Sequence, residues 1–142
     1  MSLSQECQLK HLEFVQGIIS RMAQNSHTAK GWSVTLVTLA LTITQATNAA
    51  SGSSLIALIP AFSFWYIDAF YLRQERIFRK LYNAISFDIR EGAARVALLD
   101  ISPVDFEKQV PGLLSTLFSK TVCPIPLTVI VVSLMVFILN SH

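Results

Sequence analysis

At 142 residues, 52% hydrophobic and 14% charged, with a mean hydropathy of +0.51, the chain is too apolar for an ordinary soluble domain of its length. A net charge of +2, dispersed along the sequence, does not mark a nucleic-acid-binding protein, and no direct nucleic-acid binding is expected. Two cysteines and three scattered histidines give no metal-ligand spacing, and there is no phosphate loop or nucleophile elbow, so no metal, cofactor or enzyme activity is expected.

Residues 1–30 read as an N-terminal amphipathic cytoplasmic helix. Leu12, Val15, Ile19 and Met22 recur at three- and four-residue spacing, and Leu9, Phe14 and Ile18 widen the stripe. Glu6 and Glu13 interrupt any compact apolar leader, so no cleavable signal is expected. The stretch Asn25-Ser26-His27-Thr28 loosens the pattern, and Gly31 offers a bend. Residues 31–72 read as a transmembrane hairpin. Its apolar arms, 31–50 and 54–72, are each about 30 Å long as helix, a hydrocarbon-core thickness, and are joined by the uncharged Ser51-Gly52-Ser53.

Residues 73–120 read as a cytoplasmic helical loop. Its first part continues the second arm as an amphipathic helix with Ile77, Phe78, Leu81, Tyr82 and Ile85 on one face and Glu75–Arg79 as an i,i+4 pair. The N-terminal helix is the expected partner, giving a helical stalk. Ser102-Pro103 reads as an N-cap with Pro at N1 of a short helix ending by Pro111-Gly112, and Leu113, Leu114, Leu117 and Phe118 form an interfacial apolar face. Residues 121–142 read as a C-terminal transmembrane helix, with Pro124 and Pro126 predicting a kink or a late start. The expected fold is therefore all-α, an integral membrane protein with three transmembrane helices plus amphipathic cytoplasmic helices.

All eleven Lys and Arg residues fall outside the apolar stretches, and a three-span threading puts every one on the same side. The positive-inside bias then places the N-terminus and residues 73–120 in the cytoplasm and the C-terminus outside. Cys7 and Cys123 fall on the reducing side or at its interface, so a disulfide is not expected.

Three groups of residues could carry function. Gly31, Thr35, Thr38, Thr42 and Gln45 follow 4-3-4-3 spacing and line one helical face, suited either to close helix packing or to the lining of an aqueous path in an oligomer. Asp68, the one acidic residue within a span, sits level with Lys30 across the hairpin and near Arg73 along its own helix, as a register-setting ion pair or a gate. Ile77, Phe78, Leu81 and Ile85 form a cytoplasmic interaction face. Trp32, Trp65, Tyr66 and Tyr71 read as an inner aromatic belt. The interval from Arg21 to His27 fits the loose two-residue pattern of HEPN ribonucleases, a spacing that chance readily supplies.

Lys30-Gly31-Trp32-Ser33-Val34-Thr35, Phe64-Trp65-Tyr66-Ile67-Asp68-Ala69-Phe70-Tyr71-Leu72 and Arg73-Gln74-Glu75-Arg76-Ile77-Phe78-Arg79-Lys80-Leu81-Tyr82 resemble a family of small bacterial inner-membrane proteins, as do the surroundings of Ser102-Pro103 and Leu117-Phe118-Ser119. The layout of helix, two-span hairpin and cytoplasmic helix is similar to SLATT-type domains. That resemblance implies an oligomeric, pore-forming effector of anti-phage defence in the bacterial inner membrane, controlled by a cytoplasmic protein or nucleotide signal. A third span and the lack of a recognisable sensor domain depart from the simplest SLATT arrangement. The alternative is a membrane anchor or scaffold that presents its cytoplasmic helices to a soluble partner protein.

Overall fold

A computed structural model describes residues 3–46, 55–92 and 102–140, and every regular element in them is helical. The expected turn at Ser51-Gly52-Ser53, together with Arg95 and His142, lies outside the described residues. Helix α1 (Leu3–Ala46) runs for 44 residues, about 66 Å at the helical rise. Neither Asn25–Thr28 nor Gly31 interrupts it. Gly31 is exposed, with nothing within 4 Å of where a Cβ would stand, so the helix has no close neighbour there to bend around. Helix α2 (Leu58–Glu91) spans 34 residues and continues without a break from its apolar start into its charged end. It stops at Gly92, whose left-handed backbone (φ 65°) lets its N–H reach the Asp88 carbonyl.

The two helices pack antiparallel, and they use two different cores. At the charged end Val15 and Ile19 of α1 meet Leu81 and Ile85 of α2, with Leu12, Phe78, Tyr82, Ile89 and Phe106 packed around them. At the uncharged end Val37 meets Ala57 and Ala61, with Ala40, Leu41 and Val129 alongside. Leu12, Val15 and Ile19 of the sequence repeat thus form the stalk seam, and Ile77, also fully buried, lies on α2 beside it.

The connection back is less regular than the sequence suggests. Ser102-Pro103 leads into a six-residue 3-10 helix, Val104–Gln109, without a side-chain cap, where an α-helical start was expected. Without a cap at its start and with Val110 extended at its end, the segment takes the i→i+3 bonding common in short helical pieces. The short helix α3 (Leu113–Leu117) follows, tied to α2 by the Trp65 indole N–H donating to the Leu117 carbonyl at 3.0 Å. Leu114 and Phe118 remain 75% and 70% exposed. Helix α4 (Pro124–Asn140) starts late, at Pro124, and its first bond runs from the Leu127 N–H to the Cys123 carbonyl. Both prolines therefore sit where a helix has no N–H to satisfy, and they set its start without a kink. Pro126, Val129 and Ser133 turn toward the hairpin.

Among the described residues one of the three stretches expected to cross a membrane, the helical run Leu55–Glu91, is both long and apolar enough to do so on its own composition. In α1 the hydroxyls of Thr35, Thr38, Thr42 and Thr44, with Gln45, dilute the hydropathy. In α4 the late start leaves 17 residues, about 25 Å. The uncharged half of the bundle nevertheless turns apolar side chains outward, among them Ile43, Ile56, Ile59, Val131 and Met135.

The stalk seam has a direct thermodynamic consequence. Leu81→Ala should destabilise the protein by about 2–5 kcal/mol, because it opens a cavity in a fully packed seam. Leu114→Ala should cost less than about 0.5 kcal/mol, since that side chain is exposed. Denaturant titration of the detergent-solubilised protein by circular dichroism checks both, and equal losses would mean that α1 and α2 do not meet along this seam.

Candidate functional site

A polar joint separates the two cores. Ser26 and Lys30 lie one turn apart on α1 and so share a face toward α2. There the Lys30 ammonium donates to Asp68 Oδ1 at 2.6 Å, the Ser26 hydroxyl donates to the same oxygen, and Lys30 also donates to Ser26 Oγ at 3.0 Å. The Asp68 side chain is 4% exposed and that of Lys30 19%. A carboxylate so buried needs both a counter-charge and hydrogen bonds, and the joint supplies both. The structure thus brings Asp68 to Lys30. Arg73 is not brought in: its Nε is buried without a partner.

Ser26 is the member that sequence reasoning missed. Its stretch looked like a loosening of the amphipathic pattern because a serine adds nothing to an apolar stripe. The available signal was its i,i+4 relation to Lys30. The aromatic side chains expected as a belt gather beside the joint. Trp32 follows Lys30 by two residues and Tyr66 precedes Asp68 by two, which puts both just on its uncharged side in an antiparallel pair. Trp65 stacks with Phe62 and meets Phe118 edge-on, with ring centroids 6.1 and 5.7 Å apart.

Gly31, Thr35, Thr38, Thr42 and Gln45 do lie on one face, and all five are exposed. The neighbouring stripe, Ser26, Ala29, Ser33, Val37 and Thr44, is buried instead, and Ser26 and Val37 on it meet α2. The Thr35 and Thr42 hydroxyls donate to the carbonyls of Gly31 and Thr38, so they are satisfied by their own helix. Thr38, Leu41, Thr42, Gln45 and Ala46 border an open groove of about 640 Å³, closed on its far side by Val132 of α4. Among the described residues this face is not packed against α2.

The reverse holds for the expected cytoplasmic interaction face. Ile77, Leu81 and Ile85 are buried and Phe78 is partly so, because α1 covers them. That face is therefore not available to a soluble partner while the stalk is packed, because the stalk pairing with α1 already occupies it. The Glu75–Arg79 pair forms as its spacing suggests, with Nη2 and Nε at 2.7 and 2.8 Å from Glu75 Oε1. Among the described residues no group of His, Cys, Asp and Glu is placed to hold a metal, and Cys7 and Cys123 are free thiols.

No protein-family model matches the chain, and neither a curated protein nor a solved structure matches it significantly.

The joint makes a prediction of sign as well as size. Lys30→Met alone should cost about 3–5 kcal/mol by leaving the Asp68 carboxylate buried and unpaired, whereas Lys30→Met with Asp68→Leu should recover most of that loss. A double-mutant cycle on unfolding free energies measures it. Additive losses would mean that the two side chains do not act as a pair.

Proposed function

We propose that the chain is a three-span bacterial inner-membrane protein, with the stalk in the cytoplasm and the C-terminus outside, that oligomerises and permeabilises the membrane in response to a cytoplasmic signal or protein. The observation that carries this reading is the exposed Gly31/Thr35/Thr38/Thr42/Gln45 face in the half of the bundle that bears no charge. The Thr35 and Thr42 hydroxyls are satisfied within the helix, and a face of such small polar side chains suits contact with another copy or with water better than with lipid tails. One chain of this size cannot enclose a path, but several copies turning this face inward would line one. The outward apolar side chains of the same half then face lipid, and the cations all stay on one side.

Three spans fit if the bilayer accommodates the short α4, which mismatch of a few ångströms permits at modest cost. The likeness to SLATT-type layouts extends the proposal to an effector of anti-phage defence. Its trigger is a protein or nucleotide signal that binds the packed and repacked stalk with different affinity, the requirement for any such switch.

The anchor reading survives in altered form. Phe14 and Phe87 are about half exposed on the charged stalk. A soluble partner would dock on these residues, not on Ile77, Leu81 and Ile85.

Thr38→Leu with Thr42→Leu should lower dye or ion leakage from expressing cells by about tenfold or more. Resistance of the protein to alkaline extraction from membranes should be unchanged. Leakage that survives both substitutions at matched protein levels would remove the pore assignment.

A further inference from the structure

On the charged half, away from the joint, a cleft of about 230 Å³ opens between α2 and the segment that follows the 3-10 helix. Arg76, Arg79, Lys80 and Asn83 line one side, and Gln109, Val110 and Pro111 line the other. Its walls are mostly apolar, as expected where the methylene stems of Arg and Lys lie against Val110 and Pro111 with their charged ends at the rim. Glu75 holds the Arg79 guanidinium in place. Among the described residues no ion pair joins Arg76 or Lys80 to a carboxylate, and both bring positive charge to the cleft. Asn83 and Gln109 add amide groups that can donate hydrogen bonds to oxyanions.

We propose that this cleft binds an organic phosphate ester, with the phosphate held by Arg76, Lys80 and the two amides and its carbon substituent against Val110 and Pro111. A forked guanidinium and an ammonium suit phosphate oxygens, and a carboxylate would leave part of this donor set idle. An apolar floor beneath cations selects an anion with a carbon body over a bare ion. Position admits two sources. Arg76 lies eight residues beyond Asp68, about 12 Å along α2 and within side-chain reach of a headgroup layer. Both an anionic lipid headgroup and a soluble phosphate ester can therefore enter. The lipid source rests on the membrane placement proposed above and the phosphate chemistry does not. Alkaline extraction tests that placement separately.

The experiment uses the full chain in nonionic detergent, with native mass spectrometry to count retained lipid and thermal unfolding to detect soluble ligand. The probes are phosphatidylglycerol, phosphatidylcholine and glycerol 1-phosphate. Phosphatidylglycerol should be retained over phosphatidylcholine, and Arg76→Gln with Lys80→Gln should weaken that preference by about tenfold. Arg21→Gln with Arg90→Gln, which removes equal charge from exposed positions elsewhere, should not. Pro111→Trp, which fills the cleft and leaves the charge unchanged, should also abolish retention. If glycerol 1-phosphate alone stabilises the wild type and neither cleft variant, the site stands and its ligand is soluble. Binding of either phosphate probe that survives Pro111→Trp, falls equally in the charge-matched control, or never occurs overturns the proposal.

Discussion

The buried contact of Lys30 and Ser26 with Asp68 fixes how α1 lies on α2, and the rest of the arrangement follows from that register. Apolar seams tolerate sliding, since one Val or Ile can exchange neighbours with another at modest cost. A buried carboxylate cannot slide. Displacing α1 by one residue would turn its side chains by about 100° and carry both donors off Asp68, leaving a buried charge unpaired. With the register held, Trp32 and Tyr66 come to one level, Val37 falls between Ala57 and Ala61, and the threonine stripe is turned away from α2.

The same pair of helices changes its packing chemistry on crossing this joint. On the charged side the core is built of Val, Ile, Leu and aromatic side chains, the composition that water-driven burial favours. On the uncharged side the contacts between α1 and α2 run through Ser33, Val37, Ala57 and Ala61, while larger apolar side chains such as Ile43 and Ile59 point outward. Small residues at helix contacts with large ones outside suit a lipid solvent, where burying a Leu gains little and close approach gains dispersion contacts. This reversal is independent of where the cations lie, and it supports the same membrane placement.

Much of this was legible in the sequence, and the failures share a cause. Helix periodicity located the stalk seam from Leu12, Val15, Ile19 and Met22, and charge opposition across a hairpin pointed from Asp68 to Lys30. Periodicity reports that a face exists but is silent about what covers it. On α1 two stripes of small residues interleave, one through Ser26, Ala29, Ser33 and Val37 and one through Gly31, Thr35, Thr38 and Thr42. In the sequence only the second stands out, and the position of α2 shows that the first is the buried one. The sequence offers Ile77, Leu81 and Ile85 two occupants, the N-terminal helix and a soluble partner, and one apolar stripe cannot serve both while α1 fills it. Ser102-Pro103 failed differently: no side-chain cap forms at the helix start, and the segment closes as a short 3-10 helix.

Continuity of α1 and α2 through the joint bears on how a signal could travel under the proposed function. Two helices without a break act as stiff rods, so a ligand that only tightens the stalk would leave the uncharged half where it is. Opening a path between copies requires the rods to rotate or shear, and the joint is where that motion meets its largest resistance. Apolar contacts can be remade after a small rotation, whereas the donors of Asp68 must be replaced by water or by Arg73, whose Nε lies buried without a partner nearby in sequence. A trigger acting on the stalk thus has to supply at least the energy of breaking this one contact. That cost also favours all-or-none opening over gradual opening, because intermediate rotations strand the carboxylate without either set of donors.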